Sequence, residues 1–128
     1  MKRLAIAFCL SALASIATAQ EARVGSYNAF IGTQDLVNSS GIRLENAAQV
    51  LRQDRANVHR FNILQAGDTK DFWFFAPDSR AAMESLFAAR GGIPATTAQA
   101  ILRGNVPVVV YIYARDGNFT GLEVVIPG

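Results

Sequence analysis

Residues 108 to 126 constrain the fold more than any other stretch. Val108 to Tyr113 is an unbroken β-branched and aromatic run, and Phe119 to Ile126 follows as a second strand-like segment. Asp116-Gly117-Asn118 lies between them, and Asp-Gly supplies the positive φ that a tight hairpin turn needs. The spacing predicts a C-terminal β-hairpin. At this length the first run is far too short to cross a bilayer.

Upstream, the pattern changes from strand to helix. Val24 to Ile31 has the mixed alternation and β-favouring composition of a strand. Gly32 to Gly41 is rich in turn formers and reads as a surface loop of the kind that often carries function. Leu44 to Phe61 is the clearest helix. At about 100° per residue, Leu44, Ala47, Ala48, Leu51 and Val58 share one arc, with Val50 and Phe61 at its edge. Gln49, Gln53, Asn57 and Arg60 fill the opposite side.

Asn62 to Gly67 reads as a helix exit with a possible short strand. Phe72-Trp73-Phe74-Phe75, if extended, sends its rings alternately to both faces. Asp78 or Ser79 is a candidate cap for a second helix to about Arg90, with Ala82, Met83, Leu86 and Phe87 as its apolar stripe and Gly91-Gly92 as its stop. After Pro94, Thr96 and Gln99 form a capping-box pattern for a third helix, with Ala98, Ile101 and Leu102 inward and Gly104 at its end. The expected fold is therefore α+β, with about three helices on a small, mostly antiparallel sheet. No repeat or linker divides residues 20–128, which read as one domain.

The first 19 residues read differently. Lys2 and Arg3 precede the uncharged apolar stretch Leu4 to Ile16, and Ala17-Thr18-Ala19 has the small residues of a cleavage site before Gln20. This is the pattern of a secretory signal peptide, and it predicts a periplasmic or secreted product. Cleavage there changes the composition. Of 12 basic residues Lys2 and Arg3 leave, so 10 remain against 10 acidic ones, and the pI near 9 belongs to the targeting segment. No charge argument for nucleic acid survives. The single cysteine, Cys9, leaves as well, which removes disulfides, thiol catalysis and cysteine-based metal sites. Cysteine-free export fits a bacterial periplasm. The triplets Asn38-Ser39-Ser40 and Asn118-Phe119-Thr120 are then not glycan acceptors.

Chemistry-bearing residues are few. Asp54 and Arg55 fall inside the apolar arc of the first helix, between Leu51 and Val58. Charges turned toward a core must be paired or hydrogen-bonded. The structural expectation is that Asp54 accepts backbone N–H groups of a loop while Arg55 covers carbonyls or a carboxylate. The functional one is a cleft holding a perturbed carboxylate. Arg52, Arg55 and His59, spaced i, i+3, i+7, form a basic stripe suited to a carboxylate, a phosphate or an acidic surface. Asp54 and His59 lie about 140° apart on the helix, too far for a direct dyad. There is no G-x-S-x-G elbow and no glycine-rich phosphate loop. One histidine makes zinc implausible, and Asp68-Thr69-Lys70-Asp71 lacks the alternating ligands of a calcium loop. No metal or cofactor is expected.

The stretch Leu51 to Phe61 (LRQDRANVHRF), with Asn38-Ser39-Ser40-Gly41 before it and the Ile101-to-Asn105 turn after it, resembles a group of small exported bacterial proteins without an assigned activity. The resemblance implies export and a shared fold, and brings no catalytic residues. The leading expectation is a non-enzymatic module binding a protein, an envelope component or an anionic ligand through Arg52, Arg55, His59, Asn38 and Ser39. A second is a small hydrolase or lyase with Asp54 as base and Arg55 and His59 holding an anion. A third is a structural or inhibitory protein acting through its aromatic segment.

Overall fold

The computed structural model describes residues 20–128, and the candidate signal peptide lies outside the described residues. Strand β1 (Ala22–Ile31) leads through four helices to β2 (Val106–Arg115) and β3 (Asn118–Val125). The sheet is antiparallel in the order β1-β2-β3, so the longest β-branched run occupies its centre. Asp116 and Gly117 both take positive φ (50° and 75°), which closes the β2–β3 hairpin in two residues. The α+β architecture with a C-terminal hairpin is as the sequence predicts.

The core lies on one face of the sheet. Tyr27, Ala29 and Ile31 of β1, Val108, Val110 and Ile112 of β2, and Leu122 and Val124 of β3 are buried there, at the period of two that a half-covered sheet imposes. Helix α1 (Ala47–His59) covers them with Val50 and Leu51, α3 (Met83–Ala89) with Met83, Leu86 and Phe87, and α4 (Ala95–Arg103) with Ile101. Phe74 fills the centre, its ring edge-on to Tyr27 at 5.9 Å and 5.8 Å from Phe119.

Local boundaries depart from expectation for identifiable reasons. Helix α1 begins at Ala47 and not Leu44, because Asn46 Oδ1 accepts the Gln49 N–H at 2.9 Å and caps it there. It ends at His59, which leaves Phe61 exposed and outside the helix. The second helix is two: α2 (Pro77–Ala81) and α3 meet at Ala82, which is exposed and not part of an apolar stripe. Neither Asp78 nor Ser79 caps α2, since Pro77 opens it with a preset φ. Pro94 precedes α4 directly, and the Thr96/Gln99 capping box does not form. Residues 62–67 form no strand; they are irregular and end in a turn at Ala66-Gly67.

The Gly32–Gly41 segment is also more ordered than a surface loop. Thr33–Leu36 forms one 3-10 turn whose Asp35 and Leu36 are buried, and Val37 bridges to Arg43. The last part of the outer edge of β1 is covered by the loop after α1. Asp68 Oδ1 accepts the Phe30 N–H at 2.8 Å, and Thr69 Oγ1 accepts that of Asn28 at 3.0 Å. Those two amides are unavailable to another strand. Among the described residues no helix is long and apolar enough to cross a membrane.

Candidate functional site

Two polar regions flank α1, one sealed and one open. The sealed one contains both anomalous residues of the sequence. Asp54 and Arg55 are fully buried, and Arg55 Nε donates to Asp54 Oδ2 at 2.7 Å. Arg55 Nη1 donates to the Thr69 carbonyl at 2.8 Å and to Asp71 Oδ1 at 3.0 Å. Its guanidinium lies 4.1 Å from the centre of the Tyr27 ring, and Asp68 Oδ1 stands 4.0 Å from Nη2. The first helix thus uses a buried cation to gather carboxylates from the loop after it.

The arrangement corrects one expectation. Asp54 takes no backbone N–H; the loop amides go to other carboxylates. Asp71 Oδ2 accepts those of Trp73 and Phe74 at 2.9 and 2.6 Å, and Asp68 Oδ2 accepts that of Gln65 at 2.7 Å. Only Arg55 reaches Asp54, its Oδ1 has no partner, and its carboxyl is pushed up to about 8 by loss of solvent, which outweighs Arg55. In Asp71 burial acts the same way, but the bonds from His59, the Phe74 amide and Arg55 outweigh it and hold the carboxyl below its ordinary range. Burial thus favours the neutral form of Asp54, whereas the surrounding hydrogen bonds favour the charged form of Asp71.

A second half of this region was not legible in the helical pattern. Asn57, assigned by its angle to the solvent side, is buried and donates to Asp35 Oδ1 at 2.8 Å. Asp35 Oδ2 accepts the Gly32 N–H at 3.0 Å and Gln65 Nε2 at 2.9 Å. The available signal was Asp35 three residues after Gly32, a local capping arrangement. Sequence reasoning missed Tyr27, Asp35, Asp68 and Asp71 as members of one buried cluster.

The basic stripe divides. Arg55 is drawn inward and His59 is largely covered, its Nε2 2.7 Å from Asp71 Oδ1, while Arg52 is exposed on the other flank. The three residues sit at the border of the buried arc, where a long side chain swings to whichever side offers it a partner. The aromatic run divides too. Residues 72–76 are bent and not extended, so Phe74 is buried, Trp73 half-buried, and Phe72 and Phe75 are exposed.

The open region is a groove of about 600 Å³. Gln49, Arg52, Gln53 and Ala56 of α1 and its C-cap Arg60 form one wall, within an arc of about 100°. Phe75, Pro77, Arg80 and Glu84 form the other, with Asn38, Ser39, Leu44 and Phe61 at its margins. Asn38 is held by an Asx turn, its Oδ1 accepting the N–H groups of Ser40 and Ile42 at 2.9 Å each. The groove therefore unites Arg52, Asn38 and Ser39, but not Asp54, Arg55 or His59.

Arg80 is the unexpected member. It is only 6% exposed, and its Nη1 donates to the carbonyls of Phe74 and Phe75 at 3.1 and 2.7 Å. No carboxylate pairs with it within 4.0 Å among the described residues. Burial and the nearby Arg60 and Arg52 charges lower its proton affinity. Arg60 itself stacks 4.9 Å above the Phe61 ring. The groove thus places Arg52, Arg60 and Arg80 beside the aromatic rings of Phe61 and Phe75. Among the described residues no group of three His, Asp or Glu side chains is placed to hold a metal ion. No protein-family model, curated protein or solved structure matches this chain.

Proposed function

We propose that this chain is an exported, non-enzymatic binding domain that holds an anionic protein or envelope component in the groove between α1 and α2–α3. The observation that carries this reading is Arg80, an almost fully buried cation without a carboxylate partner among the described residues, flanked in the same groove by Arg52 and Arg60. An uncompensated buried charge is costly, and a bound anion removes that cost while gaining charge-assisted hydrogen bonds. Membership of a group of small exported bacterial proteins belongs to the same proposal.

The hydrolytic alternative has less support. Its proposed base, Asp54, is fully buried, and neither Asp54 nor Arg55 nor His59 borders the groove. The aromatic alternative keeps part of its basis, since Phe75 remains available at the groove while Phe74 belongs to the core. Calorimetric titration with carboxylate, phosphate and anionic-vesicle probes tests the proposal. Binding that weakens in Arg52→Gln and Arg60→Gln supports it, whereas a protein that takes up none of these anions overturns it.

A further inference from the structure

The shape of the groove narrows the class of anion. We propose that it takes an extended acidic peptide segment of a partner protein, with carboxylates on Arg52, Arg60 and Arg80 and an apolar side chain against Phe61 and Phe75. This rests on reading the domain as an anion-binding module.

Length is the first argument. From Gln49 to Arg60 the α1 wall runs about 16 Å at 1.5 Å per residue, and Arg52 and Arg60 are about 12 Å apart along it. A single phosphate or carboxylate fills only a small part of that length. An extended chain advances about 3.3 Å per residue, so about five residues match the wall.

The groups between the arginines fit a peptide backbone. Gln53 lies between Arg52 and Ala56 on that wall, and Gln49 stands one turn before it. Gln53 Nε2 gives one hydrogen to Asn57 Oδ1 at 2.9 Å, so its second N–H and its Oε1, with the Gln49 carboxamide, are what remain to meet a peptide unit. Ala56 keeps the middle of the wall low. At the far end Phe75 is 65% and Phe61 40% exposed, a surface for an apolar side chain beside the acids.

Two features argue against a membrane as occupant. Arg80 lies at 6% exposure within a groove, where a flat lipid surface does not reach it. Glu84 adds a negative charge to the lining, which repels an anionic headgroup layer. Glu84 also borders the Asn46–Ala48 start of α1, so it marks the end of the groove away from Phe61 and Phe75. The acids of a bound segment accordingly lie toward Arg60 and Arg80, with its less acidic end toward Glu84.

Fluorescence anisotropy on the purified protein tests this with a dye-labelled peptide of about eight residues, rich in Asp and Glu and carrying one Phe. Its Phe-to-Ala and Lys-for-Glu counterparts, inorganic phosphate and phosphatidylglycerol vesicles serve as competitors. The acidic Phe peptide is expected to bind, the Lys counterpart not to bind, and the Phe-to-Ala counterpart to bind about tenfold more weakly. Arg80→Gln is expected to weaken binding about tenfold or more. Because Arg80 is buried, the exposed-side variant Arg52→Glu/Arg60→Glu, with its fold checked by circular dichroism, provides the same readout independently. Phe75→Ala should weaken the Phe peptide and leave its Ala counterpart unchanged. Vesicles or phosphate binding in an arginine-dependent way while the peptide does not overturns the peptide assignment and leaves the anion-binding reading standing. Absence of binding by every anion overturns both.

Discussion

His59 Nε2 lies 2.7 Å from Asp71 Oδ1, and this contact ties the last turn of α1 to the loop that bears the aromatic residues. A carboxylate only accepts, so the imidazole nitrogen carries the hydrogen. The second Asp71 oxygen accepts the Trp73 and Phe74 amides, and the Phe74 and Phe75 carbonyls in turn accept from Arg80. A continuous set of hydrogen bonds thus connects the sealed cluster to the guanidinium in the groove.

Replacing Asp71 by alanine should break that connection at its most crowded atom. It leaves Arg55 with a buried charge stripped of one counterion and two backbone amides without their acceptor. Loss of one partner of a buried pair costs about 3 to 5 kcal/mol. Urea unfolding should show a loss of that order. A loss below about 1 kcal/mol, the scale of an exposed pair, would mean the cluster does not hold the loop.

The close approach of Trp73 to β1 gives a second expectation. A Cβ on Gly25 would come within 2.4 Å of the Trp73 ring, where only glycine leaves room. Gly25→Ala should therefore push the indole outward. Trp73 is the only tryptophan, so its emission reports directly and should move to longer wavelength. Overpacking costs about 1 to 3 kcal/mol, which the same unfolding experiment measures. Emission and stability both unchanged would show that the ring relocates freely.

How far the sequence carried can be seen at particular residues. The hairpin was legible because Asp116-Gly117 is a local signal, and the helix stripes because periodicity is local too. Leu51 and Val58 were correctly turned inward, and Asp54 and Arg55 with them. Their partners were not legible: Asp68 and Asp71 lie on an irregular loop, where no period assigns a side to a side chain. Asn57 was misassigned because its angle faces away from the sheet, yet the 3-10 turn at Asp35 covers that flank. Arg80 was missed for a related reason. Its burial depends on a chain that doubles back beneath it, which a helical wheel does not represent.

Export is tested by expression in a bacterium and mass measurement of the protein released from the periplasm. The expected chain begins at Gln20 and lacks Cys9. Its free thiol content should be zero. A product that keeps Lys2 and Arg3 and stays with the membrane fraction would contradict cleavage after Ala19.

The buried carboxyls give stability a pH dependence whose sign follows from their environments. Asp54 is pushed up to about 8 by burial, against about 3.9 for an ordinary aspartate. Between those values the folded protein holds a proton that the unfolded chain has released, so stability declines as pH rises through the window. Asp71 has the opposite sense. Its carboxyl is held below the ordinary range, so its contribution is present above about pH 4 and is lost as pH falls further. Stability should accordingly peak in mild acid, near pH 4 to 5, and the urea midpoint should fall between about pH 5 and 8 by the equivalent of about 2 to 4 kcal/mol. Asparagine resembles a protonated aspartic acid in shape and neutrality, so Asp54→Asn should remove most of that decline. Asp35, also raised by burial against the bonds from Asn57 and Gly32, leaves a shallower remainder. If Asp54→Asn retains the full slope, the proton sits elsewhere; if both proteins are flat, Asp54 is ionised beside Arg55 and the cluster carries one more negative charge than proposed.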